Sequence, residues 1–222
     1  SNASHELRTP LALLKTVIEL ALEEPDSAPA LAAALRSAGE ETDRLAQLAD
    51  DLLLLARADA GELPLRRTPV PLEELLNSIA TRFRRRAGDA GRTLEVRVPS
   101  GLIALADRRR LEQAAANLVE NALRHGSGTV RLEVVEAPSS IALHVTDEGN
   151  GFPPQFLEHA FERFSRADGS RSGAGLGLAI VAAIAEAHGG AVKAANSPGG
   201  GADVALVIPV AQKARANDAL AG

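Results

Sequence analysis

From Leu7 onward, apolar side chains fall at Leu11, Leu14, Ile18 and Ala21. These steps of four and three draw one stripe along a helix. The stretch EEPDSAP at 23–29 breaks the pattern with two prolines and turn-forming polar residues. Beyond it Leu31, Leu35, Ala38, Leu45, Ala49 and Leu52 resume the spacing, so residues 4–60 read as an antiparallel helical hairpin. Two helices cannot hide that stripe together with the DLLLLA run at 51–56. The pattern therefore predicts a homodimer through residues 7–56, in which two hairpins form a four-helix bundle.

The periodicity then changes. DAGELPLRRTPVP at 59–71 carries a glycine and three prolines, and 61–71 reads as a linker. Residues 72–86 form an amphipathic helix, 93–98 a strand, and 107–124 a helix capped by Asp107. TVRLEVVEA and SIALHVTDEG read as paired strands, 177–188 as a helix, and GAVKAANS and ADVALVIPV as the last two strands. Antiparallel strands mixed with helices predict an α+β sandwich over 72–210, followed by a flexible tail at 211–222.

Composition narrows the classes. With 45% hydrophobic residues in 222, the chain can bury a sizeable core. The richest apolar window, LGLAIVAAIA at 176–185, is about half of the ~18 residues a membrane span needs, so a soluble chain without membrane contact is expected. The chain has no cysteine, which removes disulfides and thiolate metal sites. A net charge of −5, five Phe and no Trp or Tyr argue against a nucleic-acid partner. Ser1-Asn2-Ala3 resembles the scar of a cleaved expression tag.

Three stretches of the second half carry candidate chemistry. NLVENALRHG at 117–126 sets Asn117 and Asn121 four apart, so their amides leave one helix face; solvation alone is the plain alternative. DEGNGF follows a strand, with Asp147 at its end and Gly149 and Gly151 allowing close backbone approach or a simple turn. SGAGLGLAI at 172–180 places Gly173, Gly175, Leu176 and Gly177 at the start of a helix, where free N–H groups favour phosphate. A dinucleotide fingerprint would need a strand directly before these glycines, and the polar FERFSRADGSRS stands there instead.

In this order and spacing the motifs resemble the catalytic ATP-binding domain of sensor histidine kinases, the Bergerat-type α/β sandwich. SHELRTPL at 4–11 resembles their phosphoacceptor box. The resemblance implies a protein histidine kinase that uses ATP and Mg²⁺, phosphorylates His5, and passes the phosphoryl group to an aspartate of a response regulator receiver domain. It also implies the cytoplasmic portion of a longer, membrane-anchored sensor. By that resemblance Asn121 holds Mg²⁺ with Asn117 beside it, Asp147 accepts from the adenine amino group, and Gly149 and Gly151 shape the base pocket. Gly173, Gly175, Leu176 and Gly177 approach the phosphates. Arg124 and Arg166 match positive positions near them, and Arg163 stands within the FERF box. His125 stands where many members carry an aromatic, and residues 165–175 form an ATP lid.

The first box has a physical reading of its own. A neutral imidazole, with an unperturbed pKa of about 6.5, is nucleophilic at one nitrogen. Glu6 can hold the other N–H, and Thr9 shares the outward face of His5. Pro10 removes the hydrogen bond to the Glu6 carbonyl and bends the helix beside the acceptor. In this family the Thr9 position is associated with removal of phosphate from the regulator. The related gyrase and Hsp90 branch hydrolyses ATP with a glutamate at the position of Asn117, and an amide cannot act as that base. A nucleotide-binding scaffold without catalysis is the remaining alternative. His144, His159 and His188 read as structural or exposed.

Overall fold

The computed structural model describes residues 2–23, 27–167 and 174–210, with side chains at all of these except 2–5 and 23. Residues 168–173 of the expected lid, Gly173 among them, and the expected tail at 211–222 therefore lie outside the described residues. In chain order the elements are α1 (Asn2–Glu23), α2 (Ala28–Asp59), β1 (Thr68–Pro71), α3 (Leu72–Asp89), β2 (Leu94–Arg97), β3 (Ile103–Ala106) and α4 (Arg108–His125). There follow β4 (Val130–Ala137), β5 (Ser140–Thr146), α5 (Pro154–Leu157), α6 (Gly177–Ala187), β6 (Ala191–Asn196) and β7 (Ala202–Pro209).

Helices α1 and α2 pack as a hairpin. The Ser27 hydroxyl accepts the N–H of Ala30 at 3.4 Å and caps α2, with Pro29 in its first turn where no intrahelical donor is lost. The apolar row that α1 shields is Leu7, Pro10, Leu14, Val17 and Ala21. The expected stripe divides into two rows: Leu7, Leu14 and Ala21 are shielded within the hairpin, whereas Leu11 and Ile18 are 53% and 47% exposed. A helix turns 100° per residue, so a row stepping 7, 10, 14, 17 and a row stepping 11, 18 diverge to either side of one contact line. On α2 the shielded apolar positions include Ala34, Ala38, Leu45, Leu48, Leu52 and Leu55, whereas Leu31, Leu35 and Ala49 stay exposed. Helix α1 runs through Pro10 as one element and takes in Asn2 and Ala3.

The expected linker is only partly a linker. Thr68–Pro71 pairs antiparallel with Ile103–Ala106 to make a separate two-stranded sheet. Val70 supplies its inward side chain. Prolines at 69 and 71 conceal this strand from sequence reading, since proline is tolerated only where the ladder needs no donor. The main sheet has the order β2-β4-β5-β7-β6, parallel at β2–β4 and antiparallel elsewhere.

Alternate residues Val130, Leu132, Val134, Ile141, Leu143, Val145, Val204, Leu206 and Ile208 are buried. They put one face of the sheet against α3, α4 and α6, the two-layer arrangement that the alternating pattern predicts. The hairpin joins this core at its base, where Leu54 and Leu55 are buried and α2 contacts α6.

Candidate functional site

Helix α4 begins at Asp107, whose Oδ1 accepts the Arg110 N–H at 3.1 Å and whose Oδ2 accepts the Arg66 N–H at 2.9 Å. Burial raises the Asp107 pKa, but these two N–H donors with the Arg110 charge outweigh it and hold the carboxyl below the usual range. Leu111, Ala114, Ala115, Leu118, Val119 and Ala122 bury the inner face of the helix. Gln113, Asn117, Glu120, Asn121 and Arg124 are thereby turned to a cleft of about 1800 Å³. The Asn117 amide donates to the Gly177 carbonyl at 3.4 Å, which ties α4 to the start of α6. Arg124 pairs with Glu120 at 3.1 Å, and His125 lines the same cleft.

Asp147 follows β5 and is 8% exposed. Its Oδ1 accepts the Gly149 N–H at 2.7 Å, a turn closed by its own side chain. The chain beyond it is clamped by Asn196, whose amide accepts the Phe152 N–H at 2.6 Å and donates to the Phe152 carbonyl at 2.9 Å. Asn196 carried no signal in the sequence, because the clamp spans 44 residues and belongs to no local pattern.

The segments on either side of 168–173 are interlocked. Phe164 adopts φ 62°, unusual for a residue with a side chain, and its N–H donates to the Gly175 carbonyl at 2.9 Å. Gly175 has φ 67°, and a Cβ there would lie 2.9 Å from the Phe164 Cα, so no other residue fits without movement.

The hairpin forms the opposite wall. Glu6, Thr9, Pro10, Asp50 and Asp51 line the cleft with Asn117, Asn121, Asp147, Gly151 and Gly175. Burial raises the Asp51 pKa, aided by the nearby charges of Asp50 and Glu120 and opposed by the Gln47 amide that donates to it. His5 lies in the first turns of α1, and its side chain is outside the described set, as is any hold on it by Glu6. The described partner of Glu6 is Arg166, which donates to its Oε1 at 2.7 Å. Arg163 engages Asp59 and the Leu55 carbonyl at the base of α2. Gly149 stands three residues beyond β5, and Leu176 and Gly177 open α6.

Among the described residues no cluster of three or more His, Asp or Glu is set to hold a metal by itself. The amide oxygen of Asn121 is a hard donor of the kind Mg²⁺ takes alongside phosphate oxygens and water.

Residues 106–212 match the family model described as histidine kinase-, DNA gyrase B-, and HSP90-like ATPase. Residues 1–61 match the His Kinase A (phospho-acceptor) domain. A probable sensor histidine kinase HK of Mycobacterium tuberculosis is 41% identical over 191 residues, covering 85% of this chain and 50% of that protein. The mycobacterial sensor histidine kinase MprB structure is 32% identical with a TM-score of 0.58, covering 64% of this chain and 98% of that one. Full-length ShkA in complex with AMPPNP is 33% identical with a TM-score of 0.74, covering 93% of this chain and 44% of that one. The chain spans about half the length of the curated relatives it matches.

Proposed function

The chain belongs to the sensor histidine kinases, and from that premise we propose that it is an ATP-dependent histidine kinase core. Mg-ATP enters the cleft, His5 takes the γ-phosphoryl group, and the receiver aspartate of a response regulator takes it from His5. The observation that carries this reading is one cleft walled by Glu6 and Thr9 on one side and by Asn117, Asn121, Asp147 and Gly175 on the other. Acceptor and donor sites in one enclosure are what an in-line transfer between them requires.

In the transfer a neutral imidazole nitrogen forms an N–P bond while the bond from the γ-phosphorus to the bridging oxygen breaks, and ADP leaves with that electron pair. Asp147 reads the adenine amino group, and both described donors to its carboxylate, Gly149 and Ala202, reach Oδ1. Asn121 contributes its amide oxygen to Mg²⁺, which supplies charge neutralisation on the phosphates when bound. Gly175, Leu176 and Gly177 present the start of α6 to the phosphates. Arg166, which pairs with Glu6 at 2.7 Å, is the cation nearest to serve the triphosphate, and Glu6 is the carboxylate nearest to hold the His5 ring.

The same premise supports a homodimer. Leu11, Ile18, Leu20, Leu22, Leu31 and Leu35 remain exposed on the hairpin, an apolar surface suited to a second copy. No described helix is long and apolar enough to cross a membrane. We assign the core to the cytoplasmic side of a longer sensor, where ATP is available. Hydrolysis by an activated water is disfavoured by the amide at Asn117.

Incubation with Mg-ATP tests the reading: acid-labile phosphate should appear on the wild-type chain and disappear in His5→Gln, with ATP affinity unchanged. Phosphate retained in His5→Gln, or a wild-type chain that binds ATP without phosphorylation, would overturn the kinase assignment.

A further inference from the structure

Arg92 stands between α3 and β2, outside every motif from which the site was read. Its guanidinium donates from all three nitrogens to main-chain carbonyls. Nε reaches Gly128 at 3.0 Å, Nη1 reaches Ala122 at 2.6 Å, and Nη2 reaches Ser127 at 2.8 Å. The Ala122 carbonyl lies in the last turn of α4 and also accepts the Gly126 N–H at 2.9 Å. A cation on the terminal carbonyls of a helix complements its dipole, and a planar fork holds several acceptors in one fixed geometry. One side chain thus ties the end of α4 to the segment 126–128.

That segment is the floor under Asp147. A Cβ on Gly126 would lie 2.6 Å from the Asp147 Oδ1, so the main chain there packs directly against the carboxylate. Ser127 fastens the next residue twice: its carbonyl accepts the Glu148 N–H at 2.9 Å, and its hydroxyl donates to the Glu148 carbonyl at 2.9 Å. The Glu148 carboxylate in turn accepts the Thr129 N–H at 2.8 Å. Asp147 is therefore placed by what holds 126–129, and Arg92 holds it from the far side.

We propose that Arg92 is a positioning residue for purine recognition, setting the Asp147 carboxylate through the 126–128 segment. The proposal rests on the reading of the cleft as an ATP site. Arg92 acts on the base and not on the triphosphate, because the described contacts of its guanidinium stop at the end of α4. Counted from His125 at the end of α4, Asn121 and Asn117 stand about one and two turns earlier on the cleft face, whereas the carbonyl Arg92 holds is that of Ala122, and Gly175 and Gly177 stand at the start of α6. Hydrogen-bonded recognition of a base tolerates little displacement, so loosening the floor blunts the preference for an amino group over a keto oxygen.

Calorimetric titration with ATP, inosine triphosphate and inorganic tripolyphosphate, at fixed Mg²⁺, tests this on the whole chain as wild type, Arg92→Ala and Arg92→Lys. Arg92→Ala should weaken ATP about tenfold, leave tripolyphosphate unchanged, and so erase most of the advantage of ATP over inosine triphosphate. Arg92→Lys should recover part of it, since an ammonium can serve only some of the three carbonyls. Unchanged base preference in Arg92→Ala, or a parallel loss of ATP and tripolyphosphate, would overturn the role. Should Arg92→Ala fail to fold, Arg92→Lys is read against the wild type by the same two criteria: a reduced preference for ATP over inosine triphosphate with tripolyphosphate unchanged supports the role, and an unchanged preference overturns it. A wild-type chain without ATP binding would overturn the ATP reading itself, whereas wild-type binding with an unaffected variant overturns only Arg92.

Discussion

His188 closes α6 at 2% exposure; its Nδ1 lies 2.8 Å from the Ile184 carbonyl, and its Nε2 accepts the Asp107 N–H at 3.0 Å. That second bond requires a neutral ring. Burial, with the charge of Arg67, lowers the His188 pKa below its ordinary 6.5. In the unfolded chain the ring takes up a proton near 6.5, and in the folded one it resists. The unfolded state therefore binds more protons below that value, and stability is full above it and is lost as pH falls through it. Asp107 has a depressed carboxyl pKa, and its contribution is lost only below its ordinary 3.8, in a separate window. His159, raised by Glu162 on an exposed surface, works with the opposite sign, and solvent screens it. The urea midpoint should fall on acidification from about pH 7 to about pH 5.5, and His188→Gln should flatten that fall; an unchanged slope in the variant would assign the effect elsewhere. Thr9, exposed on α1 and lining the cleft, makes a second case. Thr9→Ala should spare phosphorylation of His5 while slowing dephosphorylation of the regulator by roughly tenfold or more. Equal loss of both activities would make Thr9 structural.

Helix α2 carries two jobs along its length. Its first half pairs with α1, and its last turns pack Leu54 and Leu55 into the core beside α6. Arg163 reaching Asp59 and the Leu55 carbonyl adds a polar fastening over the same turn. The apolar contact dominates, since the ion pair is exposed and salt-screened. Leu55→Ala should cost about 2–5 kcal/mol in chemical denaturation, whereas Asp59→Ala should change little; the reverse order would mean that the ion pair holds the base of the hairpin. The polar link that spans the cleft, Arg166 to Glu6, joins residues 160 apart. It sets the segment after Phe164 against the first turns of α1.

The whole chain exposes more leucine on its hairpin than a lone hairpin can leave in water without penalty. The shielded row of α1 is satisfied by α2, so the exposed row is what remains for a second copy. Sedimentation should show a dimer at micromolar concentration, and Leu11→Glu with Ile18→Glu should give a monomer whose ATP affinity is unchanged. A monomeric wild-type chain would remove the bundle from the account.

Short-range order is legible in the amino-acid sequence. Asp107 capping α4, Asn117 and Asn121 sharing one of its faces, Asp147 at the end of β5 and the glycines before α6 all follow from rules that operate within one helical turn or one strand. The matching of those motifs in order also made the nucleotide cleft expected. Contacts between distant segments were not legible. Which of two apolar rows on α1 meets α2, how Pro69 and Pro71 fit a strand opposite Leu105 and Ile103, and why Asn196 clamps Phe152 depend on surfaces that exist only after folding. The same holds for the pair of Glu6 with Arg166, which joins residues 160 apart. A side chain's local geometry is encoded by its neighbours in the chain, but its partner is decided by whichever donor or acceptor the packed core brings within about 3 Å.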